Sequence, residues 1–191
     1  MIPALNHSGV LPPFIPEMGP QSSAAMAPYA TSIVDIAKSF AHTPDRIAIF
    51  LGFLDYRAKL VKSGLTNGFQ WVAGSYLEDC EKIRSRSPKD VDIVTFSHRP
   101  FGCEDQPDWV TFVQANSGLF NNPQIKIDHK CDTYFVDMGL AAEALVSRSR
   151  FWFGLFSHQR DTYLWKGILQ VPLVDNDQEA RALAIEGLTN A

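Results

Sequence analysis

The chain has 191 residues, 46% of them hydrophobic, with 12 Gly and 12 Pro, which suits one compact domain with a full core. Its 17 Lys and Arg against 21 Asp and Glu leave a net charge of -4, which excludes a global positive field that gathers nucleic acid by its phosphates and leaves only a local basic site open. The cysteines Cys80, Cys103 and Cys131 are odd in number and form no CxxC pair, so neither a disulfide framework nor a zinc ribbon is indicated and the expected compartment is the cytoplasm.

Residues 1–28 are rich in Pro, Gly, Ser and Ala and read as an arm, extended over the body or partly disordered. The opening MIPALNHSGVLPPF has no basic stretch followed by an apolar one. The longest internal apolar run, IAIFLGFL, is far shorter than the ~20 residues that span a bilayer, so the chain is expected to be soluble and unprocessed, with no membrane partner.

The main domain is expected over 29–175. A first helix is predicted over 31–41, with Ile33, Ile36, Ala37 and Phe40 on one face. Thr43 then suits an N-cap and Pro44 a first turn, and Ile47, Phe50, Leu51, Leu54, Ala58 and Val61 keep helical spacing until Gly64; that face is expected to pack on a sheet. FQWVA, residues 69–73, reads as a strand that ends at Gly74-Ser75.

A charged loop with room for one helical turn follows, holding Lys82, Arg84, Arg86 and Lys89, and a second strand is predicted over 91–96. A third helix follows Pro107, with Trp109, Phe112 and Val113 on one side, and CDTYFVDM, residues 131–138, reads as a third strand. A helix over about 139–156, a last strand in GILQVPLV and a polar helix or tail over 176–191 complete the order. Strands separated by helices, without repeats, define a mixed α/β (α+β) class: a small mixed β-sheet flanked by helices.

The carboxylates carry the chemistry. Strand side chains alternate, so Asp90 and Asp92 project the same way while Val91 and Ile93 turn to the other face. Two carboxylates side by side resist ionising together unless a cation lies between them. Mg²⁺ suits them, because it takes oxygen ligands and is commonly shared between protein carboxylates and substrate phosphates. A third carboxylate from a neighbouring strand would complete a two-metal site. Asp132 and Asp137 are the candidates, and their odd separation allows only one to join; Asp132 is favoured because it precedes an apolar run as Asp92 does. Gly74 lets the backbone approach a phosphate, and the Ser75 hydroxyl and nearby N–H groups can donate to it.

A Gly-Ser pair, a DxD entering the next strand and an Asp on a later strand resemble the pattern of the DNA polymerase β-like nucleotidyltransferase superfamily. More narrowly, the chain resembles an uncharacterised bacterial family of small proteins with the nucleotidyltransferase fold, through IPALNHSGVLPP, GFQWVAGSYLED, SPKDVDIV and RFWFGLFSHQRDTYLWKGIL. The resemblance implies that fold and the transfer of a nucleoside monophosphate from an NTP, expected to be ATP, to a hydroxyl with the help of two Mg²⁺. It implies that Asp90 and Asp92 hold both metals, that Asp132 holds the catalytic metal and helps deprotonate the acceptor, and that Gly74 and Ser75 hold the triphosphate. Fourteen residues separate Ser75 from Asp90, more than in minimal members, which implies an enlarged loop.

FSHQRDTYLWKG offers Arg160 and Lys166 as triphosphate or leaving-group contacts, since positive charge there offsets what develops on pyrophosphate. The simpler alternative for both is a surface charge or an ion-pair partner, and for Arg84, Arg86 and Lys89 a solvated loop. His98, Cys103, His129 and Cys131 match no compact zinc spacing. Trp109, Phe151, Trp152, Phe153 and Phe156 suit core or an aromatic protein contact.

The acceptor is open between a protein, an RNA end and a small molecule, and the acidic balance favours the protein or small molecule. By analogy with minimal superfamily members, a toxin-like partner protein and a toxin–antitoxin or phage-defence role are implied. The competing functions are a catalytically silent nucleotide- or protein-binding module and a metal-dependent phosphoester hydrolase on the same carboxylates.

Overall fold

The computed structural model describes residues 2–19 and 21–189. In it the N-terminal arm lies on the body: Val10, Leu11, Ala25 and Ala27 are buried, Gly167 N donates to Leu11 O, and the Tyr29 hydroxyl donates to Pro12 O. Met1 and Pro20 of the arm and Asn190 and Ala191 of the tail lie outside the described residues.

The arm feeds β1 (Tyr29–Ala30), a two-residue strand, and then α1 (Ile33–Phe40), whose Ser32 cap accepts from Asp35 N. The expected face of Ile33, Ile36, Ala37 and Phe40 is buried. α2 (Pro44–Lys62) starts as its sequence dictates, with Thr43 capping Arg46 N and Pro44 in the first turn. Its inward face departs from expectation in the second half, where Ala58 and Val61 are exposed and Arg57 and Leu60 point in. Arg57 can be buried there because every direction of its guanidinium is answered, by Asp177, by Gln70 and by Leu173 O.

β2 (Gly68–Ala73) follows, and then a single 3₁₀ turn at Ser75–Leu77 and α3 (Cys80–Arg84), so the long gap before Asp90 is built from two short helical pieces. β3 (Val91–Ser97) leads to α4 (Gln106–Ala115), which takes Pro107 into its first turn. α5 (Asn122–His129) is a helix that the hydrophobic pattern does not announce; it enters β4 (Cys131–Asp137). α6 (Ala142–Phe156) starts three residues later than predicted, β5 (Leu169–Pro172) is a shorter strand than GILQVPLV suggested, and α7 (Asp177–Thr189) closes the chain. α7 packs on α1 and α2 through buried Ala180 and Ala184.

The five strands form one mixed sheet in the order β1-β5-β2-β3-β4. β2 runs antiparallel to both its neighbours, whereas β1–β5 and β3–β4 are parallel pairs. On one face Gln70 accepts from the buried Arg57 of α2 and donates in turn to Thr95. On the other, α6 lays Phe153 against Trp71 and Trp152 against Tyr134. The sequence-derived class is therefore observed: a mixed α/β protein with a mixed sheet flanked by helices. No helix among the described residues is long and apolar enough to cross a membrane.

Candidate functional site

Ala73 at the end of β2 pairs with Asp92 on β3, and Asp92 pairs with Asp132 on β4. One edge of the sheet thus gathers the C-terminal end of β2 and the N-terminal ends of β3 and β4. Residues directly opposite on adjacent strands project to the same face, at the usual spacing of about 4.7–4.9 Å between strands. Asp92 and Asp132 are such a pair, on the face that Tyr134 and α6 share, and Asp90 stands just before β3. Asp137 sits at the far end of β4, opposite Ser97, where it binds Arg99 Nη2 at 2.7 Å. Of the two candidates for the third carboxylate, the strand register brings Asp132 to Asp92 and takes Asp137 away.

Gly74 closes this edge. Its φ of 83° is one that side-chain-bearing residues rarely adopt, and a Cβ placed on it would lie 2.5 Å from Asp92 Oδ2. The backbone therefore passes against the carboxylate before turning into the 3₁₀ turn that begins at Ser75. Buried Arg46 on α2 holds that turn from behind, donating to Tyr76 O and Glu78 O and pairing with Glu81 at 2.7 Å.

Two residues that the sequence reading missed complete the edge, both from α5. Lys126 Nζ lies 2.7 Å from Asp90 Oδ2 and 2.7 Å from Asp132 Oδ2. Asn122 donates to Asp132 Oδ1 and accepts from Thr133 N. The signal for α5 is slight: Asn122-Pro123 suits a helix start, but only Ile125 and His129 are buried, so no apolar stripe appears.

The electrostatics follow from the crowding. Burial, then the charges of Asp90 and Asp132, raises the Asp92 carboxyl to about 6. Burial also works to raise Asp132, but hydrogen bonds from Lys126 and Asn122 outweigh it and hold that carboxyl low. The hydrogen bonds of Asp132 and Asp90 raise Lys126, so its ammonium stays charged.

The wall beyond Gly74 is a second ionic group. Glu78, 3% exposed, receives Lys166 Nζ at 2.5 Å, Arg84 Nη2 at 2.8 Å and Gln159 Nε2 at 2.9 Å. Lys166 also reaches Gly74 O at 3.4 Å. Of the two simpler alternatives for Lys166, the surface charge does not hold and the ion-pair partner does: it is a buried cation paired with Glu78 beside the carboxylate edge. The cleft between the two groups has a volume of about 600 Å³ and is lined by Gly74, Ser75, Asp90, Asp92, Lys126 and Asp132, with Arg84, Arg86, Arg160 and Lys166 as its further basic residues. Lys82 and Lys89 are exposed and do not line it.

Among the described residues, no set of three or more His, Cys, Asp or Glu side chains stands arranged to hold a metal ion. His129 instead contacts Lys59 Nζ at 2.8 Å, and Cys131 Sγ donates to His129 O. The Lys126 ammonium bridges two of the three carboxylates, Asp90 and Asp132. The donor atoms of the three, all oxygen, are of the type a hard divalent ion takes, and the repulsion that helps raise Asp92 is one such an ion would relieve, but the three are not gathered around a common point here.

Fold and site together define a mixed α/β protein with a cleft floored by carboxylates and rimmed by basic side chains. The chain belongs to a family described as a family of unknown function (DUF6932), which it matches over residues 3–172. No curated protein and no solved structure matches it.

Proposed function

We propose that this protein is a Mg²⁺-dependent nucleotidyltransferase of the DNA polymerase β-like fold, moving a nucleoside monophosphate from an NTP, ATP in the first instance, to a hydroxyl acceptor. The observation that carries the reading is the in-register pair Asp92 and Asp132, with Asp90 two residues ahead and Gly74 pressed against Asp92. Asp90, Asp92 and Asp132 would hold two Mg²⁺, which when bound neutralise phosphate charge and make the acceptor hydroxyl more acidic.

The chain's own residues have separable parts in this reading. In this reading Gly74, which lets the backbone pass close against Asp92, would bring backbone N–H groups near a phosphate, and the Ser75 hydroxyl would donate to it. Asp132 accepts the acceptor's hydroxyl proton as the oxygen bonds to the α-phosphorus, and the bond from that phosphorus to the β-phosphate oxygen breaks to release pyrophosphate. Arg160 at the rim, with Arg84 and Arg86, offsets the negative charge that the leaving group gains. Lys166 adds positive potential from behind Gly74 through its fixed place on Glu78.

The acceptor class that suits a net charge of -4 is a protein or small molecule, and a toxin-like partner protein in a cytoplasmic toxin–antitoxin or phage-defence setting is the cellular role we put forward. Incubation with α-labelled and γ-labelled NTPs, Mg²⁺ and candidate acceptors tests the reading. Transfer of α label by the wild type, abolished by Asp90→Ala with Asp92→Ala, is expected. Release of phosphate from a phosphoester substrate, without α transfer from an NTP, would instead support a phosphoester hydrolase.

A second reading has its own observation. Lys126 pairs with both Asp90 and Asp132, as would suit a catalytically silent module that binds a nucleotide or a protein partner. NTP binding with no transfer to any acceptor, unaffected by Mg²⁺, would favour it.

A further inference from the structure

We propose that Lys126 is the resident counter-ion of the carboxylate edge and that a divalent cation enters by displacing it; the inference rests on the two-metal reading above. One ammonium bridges carboxylates from two separate segments, Asp90 before β3 and Asp132 within β4, at 2.7 Å each. It is supplied by a third segment, α5, so its position is set by folding and not by chain proximity to Asp90.

The side chain is built to leave. Lys126 is 46% exposed, and its flexible stem can carry the charge into solvent without burying it. Asn122, one helical turn earlier, remains on Asp132 Oδ1 and on Thr133 N, so Asp132 keeps its orientation when the ammonium withdraws. Lys166 cannot make the same exchange, because it is buried and held by Glu78. Asp92 is the carboxylate of the three that Lys126 does not bridge, and its Oδ2 lies against the Gly74 backbone. The exchange replaces one positive charge by two at an edge that carries three negative ones. Without such an ion, Asp90 and Asp132 keep Lys126 as their partner.

Binding of Mn²⁺ to the full chain, followed by loss of the free-ion electron paramagnetic resonance signal, tests this in wild type, Lys126→Gln and Lys126→Gln with Asp132→Asn. Lys126→Gln should bind Mn²⁺ about three- to tenfold tighter, the range that removal of two partly exposed ion pairs allows. Adding Asp132→Asn should cancel the gain. Equal or weaker binding by Lys126→Gln, with the wild type still binding, overturns the displacement and leaves the metal site standing. Binding by none of the three overturns the metal site itself. Without divalent ions, Lys126→Gln should melt below wild type, and Mn²⁺ should restore it; a melt unchanged by the substitution overturns the counter-ion role.

Discussion

Asp92 and Asp132 stand directly opposite each other on neighbouring parallel strands, at the edge of the sheet where β2 ends on Gly74. This pairing is unfavourable to the fold by itself: burial first, and then the charges of Asp90 and Asp132, push Asp92 to about 6.

Asp92→Asn should therefore stabilise the protein at neutral pH. The folded state binds the Asp92 proton more tightly than the unfolded chain, whose carboxyl titrates near 3.8. Between these values the folded state holds more protons, so stability from this group rises as pH falls through about 6 toward 4. The expected gain of Asp92→Asn at pH 7.5 is at most ~3 kcal/mol, from about 1.4 kcal/mol per pKa unit. Thermal melts at pH 7.5 and pH 4.5 check it: the variant should exceed wild type at the higher pH, and the gap should close at the lower.

Gly74→Ala should cost about 1–2 kcal/mol from the left-handed backbone alone, with a further cost from the contact with Asp92. Asp92 must rotate away from the new methyl, so divalent-ion affinity should fall as well. Chemical denaturation together with Mn²⁺ titration separates the two effects, and unchanged ion affinity would argue against Gly74 as part of the site.

Glu78 answers Lys166, Arg84 and Gln159 at once and is buried. Glu78→Ala strands Lys166 as a buried charge, with an expected loss of about 3–5 kcal/mol. Glu78→Ala with Lys166→Met should recover much of that loss in urea unfolding, because no uncompensated ammonium then remains. Additive losses would show that the pair does not act as a unit.

Arg46 acts on the cleft from the far side of the 3₁₀ turn. Arg46→Met leaves Tyr76 O, Glu78 O and Glu81 without their donor, and should destabilise by about 2–4 kcal/mol. Hydrogen exchange should show the loss first in residues 75–84, and protection unchanged there would place the role of Arg46 elsewhere.

Much of the site could be read before any coordinates because strand periodicity is local. Asp90 and Asp92 two residues apart, and Asp132 heading an apolar run, needed only alternation and the apolar pattern to be singled out. Lys126 and Asn122 did not show themselves because α5 buries only Ile125 and His129, so its sequence NPQIKIDH carries no stripe. Glu78 stands in a charged stretch with no local sign of burial, and its partner Lys166 comes from 88 residues later in the chain. β1 has two residues and exists by pairing with β5, a partner that local sequence cannot announce. The misjudged face of α2 has the same origin: Arg57 turns inward for Asp177 on α7, and a hydrophobic count assigns an arginine to solvent.

In the proposed function the carboxylate edge and Gly74-Ser75 hold one ligand, a metal-bound nucleoside triphosphate. Calorimetric titration of a non-hydrolysable ATP analogue into wild type, Asp92→Asn and Asp132→Asn, each with and without Mg²⁺, measures it most directly. The account predicts wild-type binding that requires Mg²⁺ and is lost in both variants, even though Asp92→Asn is the more stable fold. Binding that is equal in all three proteins, or indifferent to Mg²⁺, would contradict it.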